Sequence, residues 1–176
     1  QEELEDRLGK WGIDLWHKSQ GIHHGEVSSY HEAKSISSEH TFDENKLDIA
    51  FLKSELVRLT EKIAYELRQD GKVAGCVAVK IRYHDFETTS RQTTIPYSCA
   101  DDEFIPAVKE LFDKLYKKGE PVRLLGVRLS ELTNDAIQTN LFDDVERKTD
   151  LYKAIDNVKN RFGKNLINRA SSSKNK

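Results

Sequence analysis

Apolar side chains recur along this chain in two rhythms, helical and alternating, and one stretch between them has no apolar side chain at all. Leu4, Leu8, Trp11 and Leu15, with Trp16 beside them, repeat at helical spacing, which predicts one helix over residues 3–19 that stops at Gly21. The same spacing returns in Leu52, Leu56, Leu59, Ile63 and Leu67, a long helix with Asp43 or Asn45 as expected N-cap and Gly71 as its stop. Residues 73–84 alternate instead. Val73, Val77, Val79, Ile81 and Tyr83 fall on one face, and Ala74, Cys76, Ala78, Lys80 and Arg82 on the other, the pattern of a strand with one buried and one open side. A further helix through Phe104, Val108, Leu111, Phe112 and Leu115 is expected to start at an Asp101 or Asp102 cap, with Pro106 in its first turn, where the missing N–H costs least. Strands over 34–42 and 122–132 complete the set, the latter with Leu125, Val127 and Leu129 on the core side and Arg128 opposite.

The exceptional stretch is 87–94. Glu87, Thr88, Thr89, Ser90, Arg91, Gln92, Thr93 and Thr94 follow the alternating strand across a tight turn at Asp85 and Phe86. A strand normally gives every second side chain to a core, so one that is polar on both faces is left for a polar partner. Phosphate oxygens suit it, since hydroxyls, Arg and backbone N–H groups supply most sequence-independent nucleic-acid contacts. A solvated Thr-rich edge strand would read the same way in isolation.

The order βαββαβ predicts an α+β fold: a four-stranded, mostly antiparallel sheet with two helices on one face, flanked by an N-terminal and a C-terminal helix. The bare face would show the small Ala74, Cys76 and Ala78, ringed by Lys80, Arg82, Arg91 and Arg128. A protein covering it would have to pair or desolvate each cation. Residues 1–22 read as the last helix of a preceding domain and 23–33 as a polar tether. The compact unit occupies 34–132 and a polar linker 133–148. Residues 149–170 form an amphipathic helix with Leu151, Ile155, Val158 and Phe162, and 171–176 a Ser/Lys/Asn tail too polar to fold.

Composition narrows the picture. The 176 residues carry a net charge of −2, so nothing global announces nucleic acid, yet residues 147–176 hold nine basic and two acidic side chains, a basic arm. Cys76 and Cys99 are too few for a disulfide scaffold, no apolar run approaches a membrane span, and the six histidines lack partners at ligand spacing. A cytoplasmic protein without membrane contact and without a metal site is expected. The chain opens inside a helical pattern and contains no Met, so it reads as an excised piece of a longer protein.

Four motifs coincide in order: Lys34-Ser35-Ile36-Ser37 opening the first strand, Ser90-Arg91, Arg123-Leu124-Leu125-Gly126-Val127, and Gln138-Thr139-Asn140-Leu141-Phe142 just beyond the last strand. Together they resemble the C-terminal part of a Y-family translesion DNA polymerase of the DNA polymerase IV type. Gly9-Lys10-Trp11-Gly12 looks like the end of the thumb, residues 34–132 like the little finger, and Arg161-Phe162-Gly163-Lys164 like the C-terminal helix of bacterial members. The resemblance implies DNA repair by lesion bypass, with the little finger holding the primer-template duplex by its backbones. It implies phosphate contacts from Lys34, Ser35, Ser37, Ser90 and Arg91. Strand alternation adds Lys80, Arg82, Thr88, Thr93 and Arg128. Many relatives have Gly near Ser37 or Ser38, which bears on how closely DNA approaches this strand. The magnesium-binding carboxylates of the resembled palm lie upstream, so no residue here is expected to be catalytic, the chain alone to be inactive, and magnesium to belong to the parent polymerase. Asp143 and Asp144 lack a third ligand. Gln138, Leu141 and Phe142 fit the pattern QxxLF by which such polymerases bind the sliding clamp, two apolar anchors and an amide that fixes register.

Three other readings remain open. An RNA-recognition module shares the βαββαβ order but stacks bases on aromatics of its central strands, where this chain has Ala74, Cys76 and Ala78. A small phosphatase would need a Gly-rich anion loop between strand and helix. An adaptor driven by the clamp motif alone would lack polymerase activity.

Overall fold

The computed structural model describes residues 1–23, 25–26, 32–134, 145–164 and 166–172. Residues 1–32 and 33–176 form two compact units. In the first, the expected single helix is two, α1 (Glu2–Leu8) and α2 (Lys10–Ser19), because Gly9 sits at φ 59°, a left-handed conformation that breaks a helix and suits glycine. Gly12 lets the two helices touch: a Cβ there would lie 2.0 Å from the Leu4 carbonyl oxygen.

The second unit runs β1 (Ser35–Lys46), α3 (Ile49–Gln69), β2 (Val73–Tyr83), β3 (Thr88–Ser98), α4 (Asp101–Leu115), β4 (Val122–Thr133), α5 (Val145–Phe162) and a short 3-10 helix, Ala170–Ser172. The sheet order is β1-β4-β2-β3, and each neighbouring pair is antiparallel. One core holds Leu52, Leu56, Leu59, Ile63 and Leu67 of α3, Phe104, Val108, Leu111 and Phe112 of α4, and Val77, Val79, Ile81, Leu125, Val127 and Leu129 of the strands. Both helices therefore cover one face, as the periodicity predicts.

Several boundaries differ. β1 continues to Lys46, which pairs Val122 after an irregularity, so the cap of α3 is Asp48, whose carboxylate accepts from the N–H groups of Ala50 and Phe51 at 2.8 and 3.2 Å. α4 begins at Asp101, which puts Pro106 in its second turn rather than its first. Ala74 is fully buried and part of the core cluster, and Cys76 is 2% exposed. Between the pairs Ala74–Ser98 and Cys76–Thr94, β3 inserts Ile95, Pro96 and Tyr97 opposite the single Gly75, a bulge that bends the sheet end and breaks simple alternation. A Cβ on Gly75 would meet the Tyr97 ring at 2.9 Å.

α5 docks by a polar face. Among the described side chains of α5, Tyr152, Asp156 and Lys159 are buried, whereas Leu151 and Phe162 of the predicted apolar stripe are 57% and 61% exposed. Arg68 of α3 grips Asp156 through Nε at 2.7 Å and Nη2 at 3.0 Å, and reaches Asp101 at 3.2 Å. Tyr152 donates to the Asp102 carboxylate at 2.5 Å; burial and that carboxylate push the phenol far above its ordinary pKa, so it stays a donor. Ser171 and Ser172, expected in an unfolded tail, belong to the 3-10 helix. Among the described residues no helix is long and apolar enough to cross a membrane.

Candidate nucleic-acid interface

Directly opposed residues of antiparallel strands point to the same face, so the pairings order the helix-free face into four cross-sheet rows. These are Ser35–Ser130–Cys76–Thr94, Ser37–Arg128–Ala78–Gln92, Glu39–Gly126–Lys80–Ser90 and Thr41–Leu124–Arg82–Thr88. The middle two, with Ser35, line a shallow depression of about 390 Å³. The structure thus brings together Ser35, Ser37, Lys80, Arg82, Thr88, Ser90 and Arg128 of the predicted set. Lys34 is exposed just before β1.

Arg91 and Thr93 are not among them. They pair with Val79 and Val77, both core residues, so their side chains leave the edge strand on the helix side, Arg91 exposed and Thr93 half-buried. The expected ring of four cations is three. Of the small residues, only Ala78 remains partly accessible on this face, since Ala74 joins the core and Cys76 is buried.

The cations differ in freedom. Lys80 Nζ contacts Glu39 Oε1 at 2.5 Å, with both side chains about 40% exposed, so the pair is worth roughly 0–1 kcal/mol and is open to exchange for a phosphate. It forms across Gly126, where a Cβ would come within 2.8 Å of Glu39 Cγ. Arg82 Nε donates to the Thr88 hydroxyl at 2.8 Å. Arg128 is exposed and holds no hydrogen bond or ion pair among the described residues. Glu39, Gln92 and Gly126 are site residues that the sequence pattern did not single out; a lone Gly inside an apolar strand signals close approach, and Glu39 shares the spacing of Ser35 and Ser37.

No aromatic ring stands in the four rows, so the face offers no platform for stacked bases. Among the described residues no group of three His, Cys, Asp or Glu side chains could hold a metal; the donor set does not fit magnesium. Asp143, Asp144, Gln138, Leu141 and Phe142 lie outside the described residues.

Fold and face together define an α+β module whose helices close one side of a sheet and whose other side presents hydroxyls, an amide and cations. The model of the impB/mucB/samB family C-terminal domain matches residues 33–141. The chain is 36% identical over 143 residues to DNA polymerase IV of Methanoculleus marisnigri, covering 81% of this chain and 40% of that protein. It is 38% identical over 128 residues to DNA polymerase IV of Streptococcus pneumoniae, covering 72% and 36%. A third relative, DNA polymerase IV of Dehalococcoides mccartyi, is 34% identical over 162 residues, covering 91% and 42%. The chain belongs to the impB/mucB/samB family and carries its C-terminal domain. It spans about two fifths of the length of these curated relatives.

Proposed function

We propose that this chain is the little finger, with adjoining segments, of a translesion DNA polymerase, and that its open sheet face holds a primer-template duplex by its phosphates. The observation that carries the reading is the composition of the four rows: Ser35, Ser37, Thr88, Ser90 and Gln92 supply donors around Lys80, Arg82 and Arg128. Such groups position a duplex without reading bases, and a grip that ignores bases tolerates damaged ones. Lys34 adds charge at the entry to β1. Arg91 and Thr93 serve from the outer edge of β3, where unpaired backbone N–H groups are also presented.

Nucleotidyl transfer and its magnesium ions belong, in this reading, to acidic residues of the parent polymerase outside this chain. Gln138, Leu141 and Phe142 dock on the replication sliding clamp, which holds the parent at the primer end. The working compartment is the cytoplasm. The test is fluorescence anisotropy of the chain with several duplexes of unrelated sequence: equal affinities that fall together as salt rises are expected. A marked preference for one sequence, or indifference to salt, would count against the proposal.

A further inference from the structure

The sheet face makes no use of the basic arm. α5 and the segment after it lie along α3, and between them opens a cleft of about 720 Å³. Its cations come from both sides. Among the described residues, Lys62 of α3 donates only to the Ser38 hydroxyl, at 3.2 Å. Lys159 and Lys164 place their ammonium groups 5.9 and 5.2 Å from the centroid of one ring, Tyr65. Neither has an acidic partner among the described residues, although Lys159 is 8% exposed. Two like charges held beside one ring repel. An anion in the cleft would offset both.

Two further observations select among anions. Phe162, one turn along α5 from Lys159 and just outside the lining of the cleft, is 61% exposed, with the Arg161 guanidinium 5.1 Å from its ring. A positive groove beside an exposed aromatic is the pairing by which single strands are held, phosphates on cations and a base on the ring. Glu61 also lines the cleft, and its Oε2 is buried without a hydrogen-bond partner, while Oε1 accepts from the Arg169 N–H at 3.0 Å. A free acceptor in the wall suits a ligand that also donates hydrogen bonds. Nucleobases do, through their N–H groups; the carboxylates of a run of acidic side chains do not.

We infer that the cleft between α3 and the C-terminal arm binds a single-stranded nucleic acid, with phosphates on Lys62, Lys159 and Lys164 and a base against Phe162. This site lies on the helix side, so it stands or falls apart from the sheet-face reading.

The experiment is anisotropy of the whole chain with labelled twelve-nucleotide thymidine and uridine strands. Changing Lys159→Gln and Lys164→Gln together should weaken single-strand binding about 10-fold or more and flatten its salt slope by about 1.4, near 0.7 for each phosphate no longer neutralised. Phe162→Ala should weaken it at least about 5-fold, from the worth of one stacked base. Lys118→Ala, at an exposed cation that lines neither this cleft nor the sheet face, should leave single-strand binding unchanged. The ratio of thymidine to uridine affinity assigns the source of the strand, and binding of either that responds to these substitutions supports the site. Wild-type affinity in the Lys159/Lys164 variant, or equal competition by polyglutamate or tripolyphosphate, overturns it. Should Lys159→Gln lower the melting temperature, Lys164→Glu alone, at an exposed side chain, carries the same test.

Discussion

Replacing Arg68 by Ala should destabilise the second unit far more than a surface substitution would. Arg68 and Asp156 side chains are each 9% exposed, and the Asp101 side chain 8%. Burial alone would push the guanidinium pKa down; the bond and charge of Asp156, with the charge of Asp101, more than reverse this, so the residue stays charged. The truncation deletes the paired contact to Asp156, the bond to Asp101, a 2.9 Å bond to the Cys99 carbonyl and the packing of the guanidinium 4.6 Å from the Tyr152 ring. Asp101 keeps Arg169 at 3.0 Å, but Asp156 is left buried without its guanidinium partner. Removing one partner of a buried pair costs about 3–5 kcal/mol, and the Arg169 contact puts the expectation near the lower end, about 3 kcal/mol. Urea unfolding followed by far-ultraviolet circular dichroism measures this as a lower midpoint at unchanged slope. The double variant Arg68→Met/Asp156→Leu removes both charges and should recover most of the loss. A loss below about 1 kcal/mol for Arg68→Ala, or a double variant no better than the single, would refute the view that this pair fastens the C-terminal helix.

Three other outcomes are expected. Glu55 is 2% exposed, accepts from Arg58 at 2.9 and 2.5 Å and contacts His40; burial pushes its pKa up, but Arg58 and His40 outweigh that and hold it below the ordinary 4.5. A depressed carboxyl stabilises fully above its unfolded pKa and loses that contribution as pH falls through its folded value. The gap in stability between wild type and Glu55→Gln should therefore be fully present above the ordinary 4.5 and shrink as pH falls below it through the lower folded value, as urea titrations across that range would show. Gly12→Ala should part α1 from α2, because the new methyl would lie 2.0 Å from a backbone oxygen; overpacking of this kind costs about 1–3 kcal/mol, visible as altered tryptophan fluorescence, and an unchanged spectrum would contradict the contact. Leu141→Ala with Phe142→Ala should abolish capture by the sliding clamp, with duplex affinity retained, and persistent capture would remove the clamp motif from the account.

The core was legible because its residues obey a period. Leu52 to Leu67 at helical spacing and Val77 to Tyr83 in alternation can bury their apolar sides in one way only, and the sheet follows. β3 was legible as a strand but not in its phase: with no apolar residue from Thr88 to Thr94, nothing local fixes which side chains face the helices, and a shift of one residue exchanges the faces. Only the pairing of Arg91 with Val79 decides it. At Ala74 two extra residues in β3 bend the sheet end, so a residue in phase with Cys76 and Ala78 joins the core. α5 misled for another reason. Leu151 and Phe162 look like an inner stripe, but the helix is held by Asp156 on Arg68 and by Tyr152 on Asp102; Asn160 is held by the Tyr65 hydroxyl. These partners are remote in sequence and leave no periodic trace.

The most direct test of the sheet-face grip is the salt dependence of duplex binding by Lys80→Ala/Arg128→Ala, read beside Arg91→Ala. Every phosphate that a removed cation had neutralised should flatten the slope of log affinity against log salt by about 0.9, so the slope of the double variant should be shallower by about 1.8, equally on every duplex sequence. Arg91→Ala, whose side chain leaves the sheet on the helix side, should change the slope less than either residue of the open face. A double variant with the wild-type slope, or one whose weakening depends on the sequence of the duplex, would contradict the account.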